Sequence, residues 1–165
     1  MIEYTVFNSP IGNILIAAVK EGVVKISFLD ESPKGLEYWS QKFLGTEVRE
    51  GSKYTQNAKQ QILKYLEGKS QSLDFPVIHL NSPFRKKVLE VERNIPYGET
   101  RSYGEVAKMV NNPRASRVVG SANAKNPLPM YFPCHRIISS NGSLGGYGGG
   151  LGVKKYLLDL EAKNK

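Results

Sequence analysis

The one cysteine of the chain, Cys134, stands in the run Pro133-Cys134-His135-Arg136. A thiol becomes a nucleophile when its proton is removed, and a neighbouring imidazole or guanidinium group favours the thiolate. His135 and Arg136 supply both groups in sequence, although adjacency in sequence does not establish contact. Prolines at positions 127, 129 and 133 stiffen the backbone that leads to the thiol. The run is therefore a candidate nucleophilic site, and the alternative is a small buried cysteine without chemistry.

A carboxylate and a glycine-rich segment farther along the chain could serve the same site. Glu161 lies on the last predicted helix, where it could orient an imidazole as in a triad, or be a solvated charge near the helix end. The apolar stripe of that helix consists of Val153, Tyr156, Leu157 and Leu160. Residues 141–150 match neither the Walker pattern nor a strand-to-helix G-x-G-x-x-G unit. They predict backbone lying close to a planar ligand, or a mobile loop.

Two short helices with basic side chains are predicted before the cysteine. Ser102-Tyr103-Gly104-Glu105 fits a capping box that opens the first helix, and Asn112-Pro113 is the predicted start of the second. The second helix is predicted to bury Ala115, Val118, Val119 and Ala122 and to display Arg114, Arg117, Ser121 and Lys125. Such a pair suggests a helix-turn-helix that binds DNA. An ordinary helix pair with a solvated basic face is the alternative.

The remaining elements predict an α+β protein. Residues 2–7, 13–19 and 23–29 are predicted strands, and residues 36–44 and 52–67 are predicted helices. A connection over residues 68–76 leads to a helical second half. There, Ser82-Pro83 is a helix start with the serine hydroxyl as the cap. The apolar stripe of that helix comprises Phe84, Val88, Val91 and Ile95, and Pro96-Tyr97-Gly98 ends it.

Charge is unevenly distributed along the 165 residues. Residues 1–76 hold 9 basic and 9 acidic side chains, whereas residues 77–165 hold 14 and 6, so the net charge of +8 falls in the second half. This asymmetry indicates a polyanionic partner for that half. A single cysteine excludes an internal disulfide and any multi-cysteine zinc site. No apolar run approaches the ~18 residues of a membrane span and no signal peptide is present, so we expect a soluble cytoplasmic protein without membrane contact.

These residues, taken in order, resemble the O6-alkylguanine-DNA alkyltransferases. The resemblance rests first on Pro133-Cys134-His135-Arg136 and on the Gly-Tyr-Gly-Gly-Gly-Leu stretch that follows it. It extends through Ile95-Pro96-Tyr97-Gly98, Ser102-Tyr103, residues 112–120 and Leu157-Leu158-Asp159-Leu160-Glu161. The matched residues cover essentially all of 82–161. The first half matches only in outline the small sheet-plus-helix domain that such proteins carry.

The resemblance implies two domains. Residues 1–76 would form a small antiparallel-sheet-plus-helix domain, ribonuclease H-like, of structural or unclear role. Residues 77–165 would form a helical, winged-helix-like helix-turn-helix domain that binds DNA and accepts the alkyl group. Some relatives hold a structural zinc in the first domain through cysteine and histidine. Residues 1–76 contain neither residue type, so we expect no metal, and we expect no cofactor.

The resemblance also implies the residues of the reaction. Cys134 would take the alkyl group from guanine O6, with His135 as its base through a water molecule and Glu161 orienting the imidazole. Asn126 would brace the turn between the recognition helix and the active site. Tyr103 would turn the phosphate of the extruded nucleotide and donate to guanine N3.

Other matched residues would hold the DNA and the flipped base. Arg117 would enter the duplex in place of that base, and the further predicted DNA contacts are Arg114, Ser121, Lys125, Arg136 and Tyr103. The predicted pocket residues are Pro129, Ile137, Tyr147 and Gly148. The backbone carbonyls of Cys134 and Ile137 would accept the exocyclic amine. Some relatives carry serine where this chain has Gly148, which predicts a looser lid.

The predicted function is DNA repair by direct, irreversible and stoichiometric transfer of an alkyl group to the protein's own cysteine after base flipping. The substrate would be O6-alkylguanine, and also O4-alkylthymine, in duplex DNA bound through its minor groove by a monomer. Two alternatives stay open: an alkyltransferase-like damage-binding or regulatory helix-turn-helix protein without chemistry, and a cysteine hydrolase. The first kind of protein replaces the cysteine that this chain retains. A hydrolase would leave the helix-turn-helix unexplained.

Overall fold

The structure, a computed structural model, describes residues 1–28, 33–147 and 149–165, without the side chains of residues 33 and 43. These residues form two compact units, Met1–His79 and Leu80–Lys165. The segment after residue 76 stays with the first unit because the Ile78 N–H donates to the Val23 carbonyl oxygen over 2.8 Å. The predicted domain boundary, between residues 76 and 77, lies shortly before the division between the two units.

A four-stranded sheet forms the first unit, with β1 (Ile2–Ser9), β2 (Gly12–Val19), β3 (Gly22–Phe28) and β4 (Val48–Glu50) in the order β3-β2-β1-β4. The first three strands are antiparallel and lie where strands were predicted, whereas β4 pairs with β1 in parallel. The sheet is therefore mixed rather than wholly antiparallel, and β4 was not predicted because three residues are too few to show a period. Leu29, the predicted end of the third strand, lies outside the described residues.

Two helices, α1 (Pro33–Phe43) and α2 (Gln56–Leu66), complete the first unit. Apolar side chains from the sheet and from α1 share one core, which contains Ile2, Leu15, Ala17, Val24 and Leu36. α2 buries Ala58, Ile62, Tyr65 and Leu66. Removal of these side chains from water holds the helices to the rest of the unit.

Four helices form most of the second unit: α3 (Pro83–Arg93), α4 (Tyr103–Met109), α5 (Ser116–Ala124) and α6 (Leu151–Asn164). Two short parallel strands, β5 (Arg101–Ser102) and β6 (Ile137–Ile138), pair with each other, and a 3₁₀ turn, Cys134–Arg136, precedes β6. The core of this unit consists of Val88, Ile95, Val106, Ala107, Val110, Val119, Ala122 and Ile137. The α+β architecture predicted from the sequence is thereby confirmed. None of the helices in the described ranges combines the length and the hydropathy of a membrane span.

Two of the helix starts were predicted from serine caps. At α4 the capping box is present, because Ser102 Oγ accepts from the Glu105 N–H and the Glu105 carboxylate accepts from the Ser102 N–H, each over 3.1 Å. At α3 the predicted hydroxyl cap is wrong, because Ser82 makes no side-chain cap bond. Ser82 is exposed, so water can satisfy its hydroxyl, and Pro83 at the first position starts the helix.

α5 begins at Ser116 rather than at the predicted Asn112-Pro113. Asn111 has a φ of 60°, in the left-handed region, and the Ala115 N–H donates to the Asn112 carbonyl oxygen over 3.0 Å. The residues between α4 and α5 therefore form a tight turn, which matches the predicted helix pair but shortens its second helix.

The buried face of α5 is narrower than predicted. Ala115, Val119 and Ala122 are buried, with the i, i+4, i+7 spacing of one helical face. Val118 lies outside that face and is 44% exposed, so its predicted inward orientation is wrong.

Candidate functional site

Cys134 opens the 3₁₀ turn and is 5% exposed. Its Sγ atom accepts a hydrogen bond of 3.3 Å from Asn126 Nδ2. The same amide donates to the Phe132 carbonyl oxygen over 3.0 Å, and Asn126 Oδ1 accepts from the Leu128 N–H over 2.9 Å. One side chain thus holds both the thiol and the segment that leads to it from α5.

The backbone before the thiol adopts an uncommon conformation. Met130 has a φ of 73°, in a region that residues with a Cβ seldom occupy. Arg93 of α3 holds the next residue, since its guanidinium lies 3.7 Å from the centre of the Tyr131 ring and donates to the Tyr131 carbonyl oxygen over 2.8 Å. This cation–π contact and hydrogen bond help to offset the strain at Met130.

Glu161 of α6 is the centre of a buried polar cluster. Its Oε2 atom lies 2.6 Å from His135 Nε2, and the Arg136 guanidinium donates to both carboxylate oxygens, over 2.8 and 2.9 Å. The Gly98 N–H donates to Glu161 Oε1 over 3.0 Å, and Arg136 Nη1 donates to the Ile95 carbonyl oxygen over 2.7 Å. The cluster thus ties α6 and the thiol-bearing turn to the segment that follows α3.

This geometry corrects the predicted DNA contact of Arg136. The side chain is 7% exposed, and its guanidinium donates to Glu161 and to the Ile95 carbonyl inside the protein. It is a structural partner of the carboxylate rather than a surface group. Glu161 itself is buried, so its interpretation as a solvated helix-end charge is wrong.

The same contacts determine the charges of the cluster. Burial by itself would raise the pKa of Glu161, but hydrogen bonds from His135 and Arg136 hold that pKa well below its usual range. Burial lowers the pKa of His135, and it outweighs the opposing effect of Glu161. At neutral pH, Glu161 is therefore an ionised acceptor and His135 is neutral, with its hydrogen on Nε2. Nδ1 is then the basic nitrogen of the ring.

The thiol is not activated by its neighbours in sequence. Burial, with the Glu92 carboxyl as a second cause, raises the pKa of Cys134 to about 12, whereas Asn126 and Lys154 lower it. His135 Nε2 and two guanidinium nitrogens of Arg136 face Glu161. The expectation that their adjacency favours the thiolate is therefore corrected. In the free protein the thiol is protonated at neutral pH.

Lys154 of α6 is a buried residue that was not predicted. Its Nζ atom donates to the carbonyl oxygens of Ile137, over 2.5 Å, and Gly146, over 3.1 Å. Burial lowers the pKa of Lys154. The Ile137 carbonyl, predicted to accept the exocyclic amine of a base, therefore already accepts a hydrogen bond inside the protein. The sequence could have indicated its burial, because Lys154 lies seven residues before Glu161 and therefore on the same face of α6.

Glu92 of α3 is a second buried residue that was not predicted. It is 0% exposed, and burial raises its pKa to about 8, while Asn123 and Lys154 act in the opposite direction. Apart from the Asn123 side chain, whose hydrogen bond lowers the pKa of Glu92, neither carboxyl oxygen has a hydrogen-bond partner among the residues described. Its signal in the sequence is its position four residues after Val88, on the face that α3 turns to the core.

A pocket of about 300 Å³ opens beside the thiol. It is lined by Tyr103, Gly120, Asn123, Ala124, Cys134, Gly146 and Tyr147. Of the predicted pocket residues, Tyr147 lines it, whereas Pro129 and Ile137 are buried and do not. Gly148 lies outside the described residues. Three residues of α5 line the pocket without having been predicted to do so.

The outer face of α5 and the turn before it carry the other predicted DNA contacts. Arg114, Arg117 and Lys125 are exposed, Ser121 is half-buried, and Val118 is exposed among them. Basic side chains and a pocket with a thiol thus share one short helix. A basic helix beside a pocket that contains a thiol is typical of DNA-binding proteins that carry a cysteine at their site.

Comparison with known families points to the same class. Residues 83–163 match the family model described as "6-O-methylguanine DNA methyltransferase, DNA binding domain". Residues 2–78 match the model described as "6-O-methylguanine DNA methyltransferase, ribonuclease-like domain". The chain belongs to the 6-O-methylguanine DNA methyltransferase family.

Similarity to individual proteins extends along almost the whole chain. The methylated-DNA–protein-cysteine methyltransferase of Methanosarcina acetivorans is 40% identical, over 96% of this chain and 97% of its own length. The constitutive enzyme of that name from Bacillus subtilis is 36% identical, over 98% and 96%. The crystal structure of Mycobacterium tuberculosis OGT in complex with DNA superimposes with a TM-score of 0.86 at 33% identity, over 98% of this chain and 94% of that one. The predicted enzyme class, a methyltransferase of direct DNA repair, is confirmed at the level of the family.

Proposed function

We propose that this protein removes alkyl groups from O6 of guanine, and from O4 of thymine, in duplex DNA by transferring them to Cys134. The observation that carries the proposal is the position of the thiol. The only cysteine of the chain lines a pocket of about 300 Å³ in the unit that contains the basic helix α5. A pocket of this size suits one base and not a base pair, so the damaged base has to leave the stack before it reacts.

The transfer is a single displacement at the alkyl carbon. A bond forms from Cys134 Sγ to that carbon while the bond from the carbon to O6 breaks, and the electron pair of the broken bond stays on guanine. The thiol proton leaves to His135 through a water molecule, and guanine takes up a proton. The product is a thioether, whose sulfur is a poor leaving group, so each chain reacts once.

The buried cluster around Glu161 supports this route for the proton. His135 donates from Nε2 to the ionised carboxylate, which makes Nδ1 the basic nitrogen and stabilises the imidazolium that forms. Arg136 acts as a positioning residue, since it fixes both carboxylate oxygens. Asn126 and Lys154 lower the pKa of the thiol, so both favour the thiolate in the reacting complex.

α5 is the proposed DNA-binding helix. Arg114, Lys125 and Ser121 supply positive charge and hydrogen-bond donors for phosphates. We propose that Arg117 fills the gap left by the flipped base. Tyr103, in the pocket wall, would contact the phosphate of the flipped nucleotide and donate to guanine N3. Binding through the minor groove suits a repair protein, because the donors and acceptors there vary little with sequence. One copy of the chain acts alone, inside the cell, where its substrate is.

The fate of the damaged base tests this proposal. A duplex with one O6-methylguanine is incubated with an excess of the protein and then digested to nucleosides. We expect deoxyguanosine in place of the methylated nucleoside, with no base missing from the strand. The Cys134→Ser variant should bind the same duplex and leave the methylated nucleoside unchanged. Binding by the unaltered protein without conversion would contradict the proposal and favour the damage-binding alternative.

A further inference from the structure

The pocket wall contains polar atoms that no described residue satisfies. Asn123 lines the pocket, and apart from its contact with Glu92 its amide nitrogen and oxygen are buried without a hydrogen-bond partner among the described residues. Both carboxyl oxygens of Glu92 are likewise buried with no partner among the described residues besides Asn123, and the hydrogen bond with the Asn123 side chain lowers the pKa of Glu92. Unsatisfied buried polar groups are unfavourable, and each one calls for an explanation such as a ligand that completes it. Neither residue takes part in the proposed transfer.

Both side chains are near the reacting thiol. Cys134 lines the same pocket as Asn123, and the Glu92 carboxyl contributes to the raised pKa of both the Cys134 thiol and the Tyr103 phenol. The carbon under attack has to touch Sγ. A longer alkyl chain whose first carbon touches Sγ therefore lies in the same pocket as Asn123, whose side chain is one of the lining groups.

Asn123 is a polar group in the pocket wall, and the Glu92 carboxyl beside it is uncharged at neutral pH. Because burial raises the pKa of Glu92 to about 8, its carboxyl is mostly protonated at pH 7. A protonated carboxyl and a carboxamide each offer both donors and acceptors. A small neutral group that both donates and accepts hydrogen bonds can pair with them. A hydroxyl is such a group. The ammonium of Lys154 already donates to the Ile137 and Gly146 carbonyl oxygens.

We propose that Asn123, positioned by Glu92, makes the pocket selective for O6-alkyl groups that carry a hydroxyl over apolar chains of the same length. The simplest such group is 2-hydroxyethyl, and its apolar counterpart is n-propyl. The inference rests on the proposed transfer to Cys134. The bonds that form and break are those of methyl transfer, and the hydroxyl stays on the chain that moves to Sγ.

Three duplexes of one sequence test the selectivity, with O6-methyl-, O6-n-propyl- and O6-(2-hydroxyethyl)guanine as the lesions. Transfer is followed by the intact mass of the protein. The measured quantity is the rate of transfer of the hydroxyethyl group divided by the rate of transfer of the propyl group. The propyl and hydroxyethyl groups differ in intrinsic reactivity, so the ratio itself is not informative. The change in the ratio between the unaltered protein and a variant is decisive. Asn123→Leu, similar in size but apolar, should lower the ratio about three- to tenfold, as expected for one lost hydrogen bond.

Glu92 is tested as a positioning residue with the same ratio. Glu92→Leu should lower the ratio, and Glu92→Gln, which keeps a neutral donor and acceptor, should preserve it. Glu90→Gln, at an exposed position of the same helix, is the matched control and should leave the ratio unchanged. A purely structural role of Glu92 would slow transfer from all three lesions together and would not change the ratio.

A ratio that Asn123→Leu leaves unchanged overturns the inference. If the variants of the wall do not fold, the affinity of the Cys134→Ser protein for the propyl and hydroxyethyl duplexes decides the question. That affinity should be higher for hydroxyethyl, and an equal or lower affinity overturns the inference. Failure of the proposed function is distinguishable, because the unaltered protein would then transfer no methyl group either.

Discussion

Glu161 accepts hydrogen bonds from His135, Arg136 and Gly98, so the orientation of all three depends on one carboxylate. Burial of a charge is costly unless a partner compensates it, and Arg136 is that partner. Glu92 is the opposite case, because burial keeps it protonated well above the ordinary pKa of a carboxyl. The two acids therefore make the stability of the protein depend on pH in opposite directions.

Glu161→Gln keeps the shape of the side chain and removes its charge. Arg136 would then be a buried guanidinium without a carboxylate, so we expect the free energy of unfolding at pH 7 to fall by about 3 kcal/mol. The difference should shrink as the pH falls below 4.5, because the unfolded unaltered chain then takes up a proton that its folded form does not bind. Denaturant unfolding at pH 7 and pH 4 measures both effects. Equal stability of the two proteins at pH 7 would contradict the ion pair.

Glu92→Gln should stabilise the protein at neutral and higher pH. Between pH 4.5 and about 8 the unfolded chain releases the Glu92 proton while the folded chain retains it, so the free energy of unfolding decreases as the pH rises. The substitution removes this loss, and we expect a gain of about 1–3 kcal/mol at pH 8 and little gain at pH 4. Unfolding at both values of pH, with Glu90→Gln as the exposed control, checks this. A gain of the same size at both would show that Glu92 is ionised in the folded state.

At the scale of helices and strands, elements with a clear period or a cap were predictable from the sequence. β1, β2 and β3 are apolar-rich runs separated by turn residues, and the capping box at Ser102 marks the start of α4. β4 has no such signal, because only its pairing with β1 makes it a strand. The start of α5 was misplaced because Asn-Pro begins a turn as readily as a helix.

The residues of the candidate site likewise fall into those that the sequence predicted and those that it did not. Cys134, His135 and Glu161 were predictable because local sequence or family resemblance identifies them. Glu92, Asn123 and Lys154 were not, because only tertiary packing brings them near the thiol. Arg136 was assigned to the surface for the same reason, since its partner Glu161 is 25 residues away in sequence.

The serines before α3 and α4 allow a matched pair of substitutions. Ser102→Ala removes a hydroxyl that accepts from the Glu105 N–H, so we expect the free energy of unfolding to fall by about 1 kcal/mol. Ser82→Ala removes a hydroxyl that makes no cap bond, and it should change stability by less than half as much. Denaturant unfolding of both variants measures the difference. Equal losses would show that the cap bond at α4 contributes nothing.

Substitutions of Arg117 and Arg114 distinguish a role in base flipping from a role in DNA binding alone. If Arg117 fills the gap left by the flipped base, Arg117→Ala should slow transfer from duplex DNA about tenfold or more, since the cost of unstacking is no longer offset. Transfer from free O6-benzylguanine requires no flipping and should be nearly unchanged. Arg114→Ala, as the control, should weaken DNA binding without this dependence on substrate. Single-turnover rates at saturating DNA make the comparison, and equal slowing by Arg117→Ala of both substrates would refute the assignment.

At the scale of the whole molecule, positive charge and reactivity coincide. Residues 77–165 hold the entire net charge of +8, and the same part of the chain contains α5, the pocket and the thiol. The first unit is neutral by the same count and carries none of the candidate site residues. Attraction of DNA through phosphates and reaction with one base are therefore properties of a single unit of about half the chain.

The intact mass of the protein after reaction with an excess of O6-methylguanine duplex tests the central claim most directly. The account predicts one methyl group per chain, located on Cys134 by peptide mapping, and no further repair when fresh duplex is added to the modified protein. More than one guanine restored per chain would contradict it. So would a methyl group at another residue while the Cys134 thiol remains unmodified.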